Sequence, residues 1–104
     1  LIEAVTGRPY AQHLQAMVFE PLGLTHTAVG ITPTIRQHLA PAQLWTADID
    51  FPAPVFDLGS APAGNIFATL GDAAVYGQAL LRQGQGIIAP QSLMLMWTPA
   101  GDDP

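Results

Sequence analysis

Apolar residues recur at helical spacing near the start of the chain, again from residue 69 onward, and without any regular period between residues 32 and 66. Leu1, Ile2 and Val5 read as the last turns of a helix that Thr6-Gly7 ends, because glycine accepts the left-handed conformation of a helix terminus. The chain is therefore expected to begin inside an element. Pro9 suits the first position of a second helix, where a missing N–H does no harm. Tyr10, Leu14, Met17 and Val18 then fall on one stripe, and the helix is expected to stop before Pro21-Leu22-Gly23. From Thr25 to Ile31 the weak alternation of Thr27, Val29 and Ile31 predicts a short strand.

Pro33, Pro41, Pro52, Pro54 and Pro62 break any long helix or central strand in the stretch that follows, which reads as one long irregular loop. Order returns at Thr69-Leu70-Gly71-Asp72. This is a capping-box pattern in which the threonine hydroxyl and the aspartate carboxylate both satisfy free amides at a helix start. The helix predicted from there buries Leu70, Ala73, Ala74, Gly77, Leu80 and Leu81, with Gly84 or Gly86 as its stop. Pro90 opens a last helix with Leu93, Met96 and Trp97 inward, closed by Thr98-Pro99. The expected class is mainly α with irregular loops.

Composition narrows the picture. Of 104 residues, 49% are hydrophobic and 11% charged, too apolar for a disordered segment and poor in charge for a free-standing domain. Such a balance suits a piece whose faces are covered by neighbours outside it. The formal charge is −5 and the fixed cations are Arg8, Arg36 and Arg82, so no basic patch exists for nucleic acid or an acidic membrane. No stretch approaches a membrane span. The absence of cysteine excludes disulfides and a thiol nucleophile, and leaves the compartment open between periplasmic or secreted and cytoplasmic.

Candidate chemistry is sparse. His13, His26 and His38 offer no pair at the i, i+4 spacing that would put two imidazoles on one metal. Asp48 and Asp50 imitate the start of a calcium loop, but Ala53 stands where that loop needs glycine and Gly59 where it needs glutamate. Gly84-Gln85-Gly86-Ile87-Ile88-Ala89 matches a dinucleotide glycine pattern but follows a helix where the mechanism needs a strand. Ser60 and Ser92 are the only serines, and neither has a nucleophile elbow or a base nearby in sequence. No metal, cofactor or catalytic residue is assigned.

Three segments in order carry a resemblance. Leu1-Ile2-Glu3-Ala4-Val5-Thr6-Gly7-Arg8-Pro9-Tyr10, running on to Phe19-Glu20-Pro21-Leu22-Gly23-Leu24-Thr25-His26-Thr27, is similar to an "IIE-x-x-TG-x-x-Y … PLGM-x-x-T" signature. Pro62-Ala63-Gly64-Asn65-Ile66-Phe67-Ala68-Thr69, leading to Asp72 and Leu81, is similar to "AGG-x-x-ST-x-x-D-x-A-x-x". Pro90 to Pro99 resembles a short "S-P-x-S-x-x-x-M-x-TP" helix. Together they resemble the β-lactamase-related family that includes class C β-lactamases, low-molecular-weight penicillin-binding DD-peptidases and their esterase relatives.

The resemblance implies that residues 1–104 are part of one domain, a fragment of the helical subdomain of an α+β β-lactamase/transpeptidase-like fold. It implies acyl transfer through a serine in the parent protein, on an ester, lactam or peptide, with the remainder of the parent domain as partner. The family's Ser-x-x-Lys, Tyr-x-Asn and Lys-Thr-Gly or His-x-Gly motifs are absent here: there is no lysine, and Tyr10 and Tyr76 are followed by Ala-Gln and Gly-Gln. Their expected places lie upstream of Leu1 and beyond the Thr98-Pro99 helix end. Ala63, Gly64 and Asn65 are the expected lining of the substrate cleft. The competing expectation is a small non-enzymatic helical module that binds a protein partner through its apolar faces.

Overall fold

A computed structural model describes residues 1–56 and 59–101. In chain order the elements are α1 (Ile2–Thr6), α2 (Tyr10–Leu14), a π-helical turn (Gln15–Phe19), α3 (Glu20–Leu22), β1 (Ala28–Val29), α4 (Pro33–His38), β2 (Gln43–Thr46), β3 (Ile49–Pro52), a 3-10 turn (Ala61–Ala63), β4 (Ile66–Phe67), α5 (Leu70–Leu81) and α6 (Pro90–Trp97). Helix outweighs strand, as the apolar periodicity predicts. Two compact units form, Leu1–Thr27 with Ala68–Pro104, and Ala28–Phe67.

In the first unit, Gly7 ends α1 in the left-handed conformation (φ 66°), its N–H bonded to the Glu3 carbonyl. The Glu3 carboxylate then accepts the Tyr10 N–H at 2.8 Å, which satisfies one of the free amides opening α2 and fixes the corner between the two helices. Pro9 stands one place earlier than expected, as the N-cap, with an extended ψ of 141°. The helix also does not stop before Pro21. A proline within a helix removes one N–H and clashes with the carbonyl four residues back. The chain widens just ahead of it: the Glu20 N–H reaches five residues back to the Gln15 carbonyl, and the π turn lets α3 continue through Pro21 to Leu22.

Gly23 then turns the backbone left-handed (φ 68°). The Leu24 N–H bonds the Phe19 carbonyl at 2.8 Å and the Gly23 N–H bonds that of Glu20 at 3.1 Å, a Schellman termination. Phe19 and Leu24, the two side chains such a motif brings together, are both buried. The expected stripe is thereby rotated, since Met17 is exposed and Phe19, which the spacing left off the stripe, is in the core.

The end of α5 repeats the motif with a different residue. The Gly84 N–H bonds the Ala79 carbonyl at 2.9 Å and the Gln83 N–H that of Leu80 at 3.0 Å. The left-handed residue is Gln83 (φ 61°), not the glycine the sequence suggested, and Gly84 follows it at φ 74°. Gly84 is buried, and a side chain there would meet Ile88 and Leu93. Phe19, Leu24, Ala79 and Leu93 are the buried apolar residues among those described, and all four belong to this unit.

The predicted inner face of α5 is corrected. Leu70 and Leu81 are more than four-fifths exposed, Ala73 and Ala74 are exposed, and the residues turned inward are Asp72 and Ala79. On α6 only Leu93 is buried, whereas Met96 and Trp97, both expected inside, face outward. The periodicity was sound, but within these residues the apolar stripes of α5 and α6 are uncovered.

In the second unit, the strand expected over Thr25–Ile31 contracts to β1, which pairs antiparallel with β4 in the register Ala28↔Phe67 and Val29↔Ile66. The region read as one irregular loop contains α4, β2, β3 and the 3-10 turn, and ends at the start of β4. Thr32 caps α4 by accepting the Ile35 N–H at 3.1 Å, and Pro33 occupies the first turn, where its missing N–H costs nothing. Strands β2 and β3 form a hairpin with Leu44↔Phe51 and Thr46↔Ile49 opposed. Its two-residue turn, Ala47-Asp48, has φ positive at both positions (48° and 62°), the type I′ geometry that matches strand twist. The prolines thus mark element ends, Pro33 at a helix start and Pro52 at the last pair of a two-stranded ladder, and do not forbid structure.

Candidate functional site

The segment expected to line a cleft sits at the end of a 3-10 turn. The Ala63 N–H bonds the Ser60 carbonyl at 2.9 Å, and Gly64 follows with φ 155° and ψ 19°, a backbone conformation that residues bearing a Cβ rarely adopt. Asn65 is buried, and its carbonyl accepts the Gly30 N–H at 2.7 Å, which extends the β1–β4 pairing by one step. Ala63 and Gly64 are exposed. The three candidates therefore divide, two presenting backbone and a methyl group at the surface and one turned into the protein.

A second constellation, which sequence spacing did not reveal, centres on Asp72. Its N–H donates to the Thr69 hydroxyl at 3.2 Å, so the threonine half of the expected capping box forms. The carboxylate half is used elsewhere. Oδ2 of Asp72 accepts the Thr27 hydroxyl and the His26 N–H, each at 2.8 Å, across more than forty residues of sequence. The Thr27 hydroxyl does most to hold the Asp72 carboxyl below its ordinary pKa; the His26 N–H, the nearby His26 charge and Thr69 act in the same sense, and desolvation opposes them. Asp72 is thus a tether between the segment after α3 and the first turn of α5. The only hint in sequence was that Thr27 and Asp72 both fall in the signature segments, since pairing across that separation leaves no local pattern.

The arrangement offers no nucleophile and base in contact. Ser60 and Ser92 are exposed, and among the described residues no hydrogen bond joins either hydroxyl to a histidine or carboxylate. The His26 ring meets the Thr25 hydroxyl at 3.0 Å, and the His38 ring meets the Thr34 carbonyl at 3.0 Å. No group of three potential metal ligands occurs among the described residues. Asp48 occupies the hairpin turn, and Asp50 lies opposite Trp45, so neither belongs to a cation loop. The second unit does contain an open groove of about 470 Å³, walled by the end of α4, the foot of the hairpin and the 53–56 segment.

A family profile described as Beta-lactamase matches residues 1–103. The chain belongs to the Beta-lactamase family. A human protein named for that likeness, beta-lactamase-like 1, is 32% identical over 92 residues, covering 86% of this chain and 18% of the relative. The chain thus spans under a fifth of that relative's length. No solved structure matches. Within this Beta-lactamase-family chain, the residues that carry the signature have visible structural duties. Glu3 fixes the α1–α2 corner, Gly23 ends α3, and Thr27 and Asp72 hydrogen-bond to each other.

Proposed function

We propose that the protein carrying this chain is a serine hydrolase of the β-lactamase, DD-peptidase or esterase type, and that these residues form part of its helical subdomain. The reaction is acyl transfer through a serine ester intermediate, with hydrolysis of a β-lactam, a D-amino-acid peptide or a simple ester. The observation that carries the reading is the family match across residues 1–103 of a chain that has no lysine and hence no Ser-x-x-Lys. This segment then supplies shape, and the reacting groups come from the rest of the domain. The uncovered residues Leu70, Ala74 and Leu81 on α5, with Met96 and Trp97 on α6, fit a subdomain that packs against further secondary structure.

Within this reading Ala63 and Gly64 form a low wall of the substrate cleft, and Asn65 holds that wall in place. The exposure of the first two, the Gly64 backbone and the burial of Asn65 support these roles. Asn65→Ala in the full-length protein should change the ratio of kcat/KM for a simple ester to that for a β-lactam by at least about threefold, with melting temperature measured alongside. An unchanged ratio removes the wall role. The same apolar faces also favour a second reading, a non-enzymatic module that docks a protein partner. A sharp thermal transition of the isolated chain without uptake of a hydrophobic dye would favour the module; dye binding and a broad transition would favour the subdomain.

A further inference from the structure

The groove in the second unit lies wholly within Ala28–Phe67, and nothing in the acyl-transfer reading uses it. Apart from Arg36, apolar residue types line it, Leu39, Val55, Phe56 and Phe67 among them, and the polar share of its surface comes from backbone and the guanidinium. Val55 and Phe56 are exposed although both are hydrophobic. Arg36 is the one charged residue among the described residues that line the groove, and one of only three fixed cations in a chain of formal charge −5. It stands in the last turn of α4, its backbone N–H bonded to the Thr32 carbonyl at 2.9 Å, and its guanidinium makes no hydrogen bond or ion pair to any described residue. A volume of about 470 Å³ is within the range of small-molecule sites, which combine apolar walls with a few fixed polar groups.

We propose that this groove binds a small amphipathic carboxylic acid, its carboxylate paired with the Arg36 guanidinium and its hydrocarbon body laid against Val55, Phe56 and Phe67. The guanidinium fork matches a carboxylate in two parallel N–H···O bonds, and a single cation set in apolar walls selects a ligand with one charged end and one greasy one. Diffuse anion attraction does not account for such selection, because a chain of net negative charge repels anions in general. The site is independent of the acyl-transfer reading.

The test is direct binding to the full-length protein, followed by titration calorimetry, with octanoate and its neutral counterpart octanamide as probes. Octanoate should bind at least about tenfold more tightly than octanamide, as expected when a charge-assisted pair is present in one and absent in the other. Arg36→Gln should erase that difference while leaving the weak octanamide affinity in place, and Arg36→Lys should preserve part of it. Phe56→Ala, a change at an exposed position that leaves the fold intact, should weaken both ligands alike. Equal binding of acid and amide, no binding of either, or a difference that survives Arg36→Gln would each overturn the proposal. Hydrolysis of esters or lactams, assayed separately, is unaffected by any of these outcomes.

Discussion

Gly84 is the position at which the packing of the first unit can be tested most sharply. Its φ of 74° places it in the left-handed region, where an L-residue pays about 1–2 kcal/mol. A Cβ built there would overlap Cγ2 of Ile88 and stand 2.9 Å from the Ile88 carbonyl oxygen and 3.5 Å from Cδ2 of Leu93. The carbonyl is backbone and cannot swing away, so relief requires the 84–88 turn to move against buried Leu93; overpacking of this kind costs about 1–3 kcal/mol. Stiffening of the unfolded chain by alanine returns about 0.4–1 kcal/mol. Gly84→Ala should therefore destabilise by about 1–4.5 kcal/mol. Gly23→Ala provides the control. It has nearly the same φ, 68°, but open space around the Cβ position, so only the backbone cost remains, about 0–1.6 kcal/mol after the same correction, and the overpacking of about 1–3 kcal/mol separates the two. Urea unfolding of both variants, followed by far-UV circular dichroism, gives the difference from the shift in midpoint at constant slope. If the two variants fall within about 0.5 kcal/mol of each other, the steric argument at Ile88 is wrong.

Gln83→Gly should stabilise the protein by about 0.5 kcal/mol, because it relieves a left-handed glutamine at the Schellman turn and gives back part of that gain in unfolded-chain entropy; a thermal melt that falls would refute this. Asp72 makes stability depend on pH in a predictable sense. With its carboxyl held below the ordinary value of 3.8, its contribution is fully present above the unfolded pKa and is lost as the pH falls through the lower folded value. The stability gap between wild type and Asp72→Asn should accordingly be constant above about pH 5 and narrow below pH 4, and a gap that stays constant down to pH 2 would sink the tether. Thr27→Val removes the hydroxyl donor with little change in shape, and should raise the Asp72 pKa toward 3.8 in a side-chain NMR titration; an unmoved titration would mean that Thr27 is not the principal cause.

Much of the helical layout was legible because its signals are local. Gly7 ends a helix where a left-handed residue is required, Thr69 caps α5, and Pro90 opens α6. The errors share a cause as well. Apolar stripes predict an inner face on the assumption that the covering layer is present, and Leu70, Leu81, Met96 and Trp97 are exposed in these residues. The middle of the chain misled for another reason. Prolines read as breakers in sequence, whereas Pro33 sits in the first turn of a helix and Pro52 at the last pair of a hairpin. The hairpin turn itself, Ala47-Asp48, lacks the Asn-Gly or Asp-Gly pair that marks type I′ turns in sequence, so its positive φ values could not be foreseen.

The site was less legible than the fold, and the reason lies in what the family signature encodes here. The capping box, a local motif, predicts that Asp72 faces back on its own helix, yet its carboxylate serves a threonine hydroxyl and an amide more than forty residues earlier in the chain. The stretch between, Ala28–Phe67, forms a unit of its own, and the tether joins the two chain segments that flank it. Held at Thr27 and Asp72, the first unit keeps α5 fixed to the end of the α3 turn whatever the sequence between them does. The signature matched in this chain is in that sense a scaffold, with Glu3, Gly23, Thr27 and Asp72 fixing corners and ends. A scaffold can be retained while the chemistry it supports changes, because one fold hosts several reactions and the reacting groups are separate from the residues that hold its shape. Membership of the Beta-lactamase family therefore says more here about how the chain folds than about any chemistry.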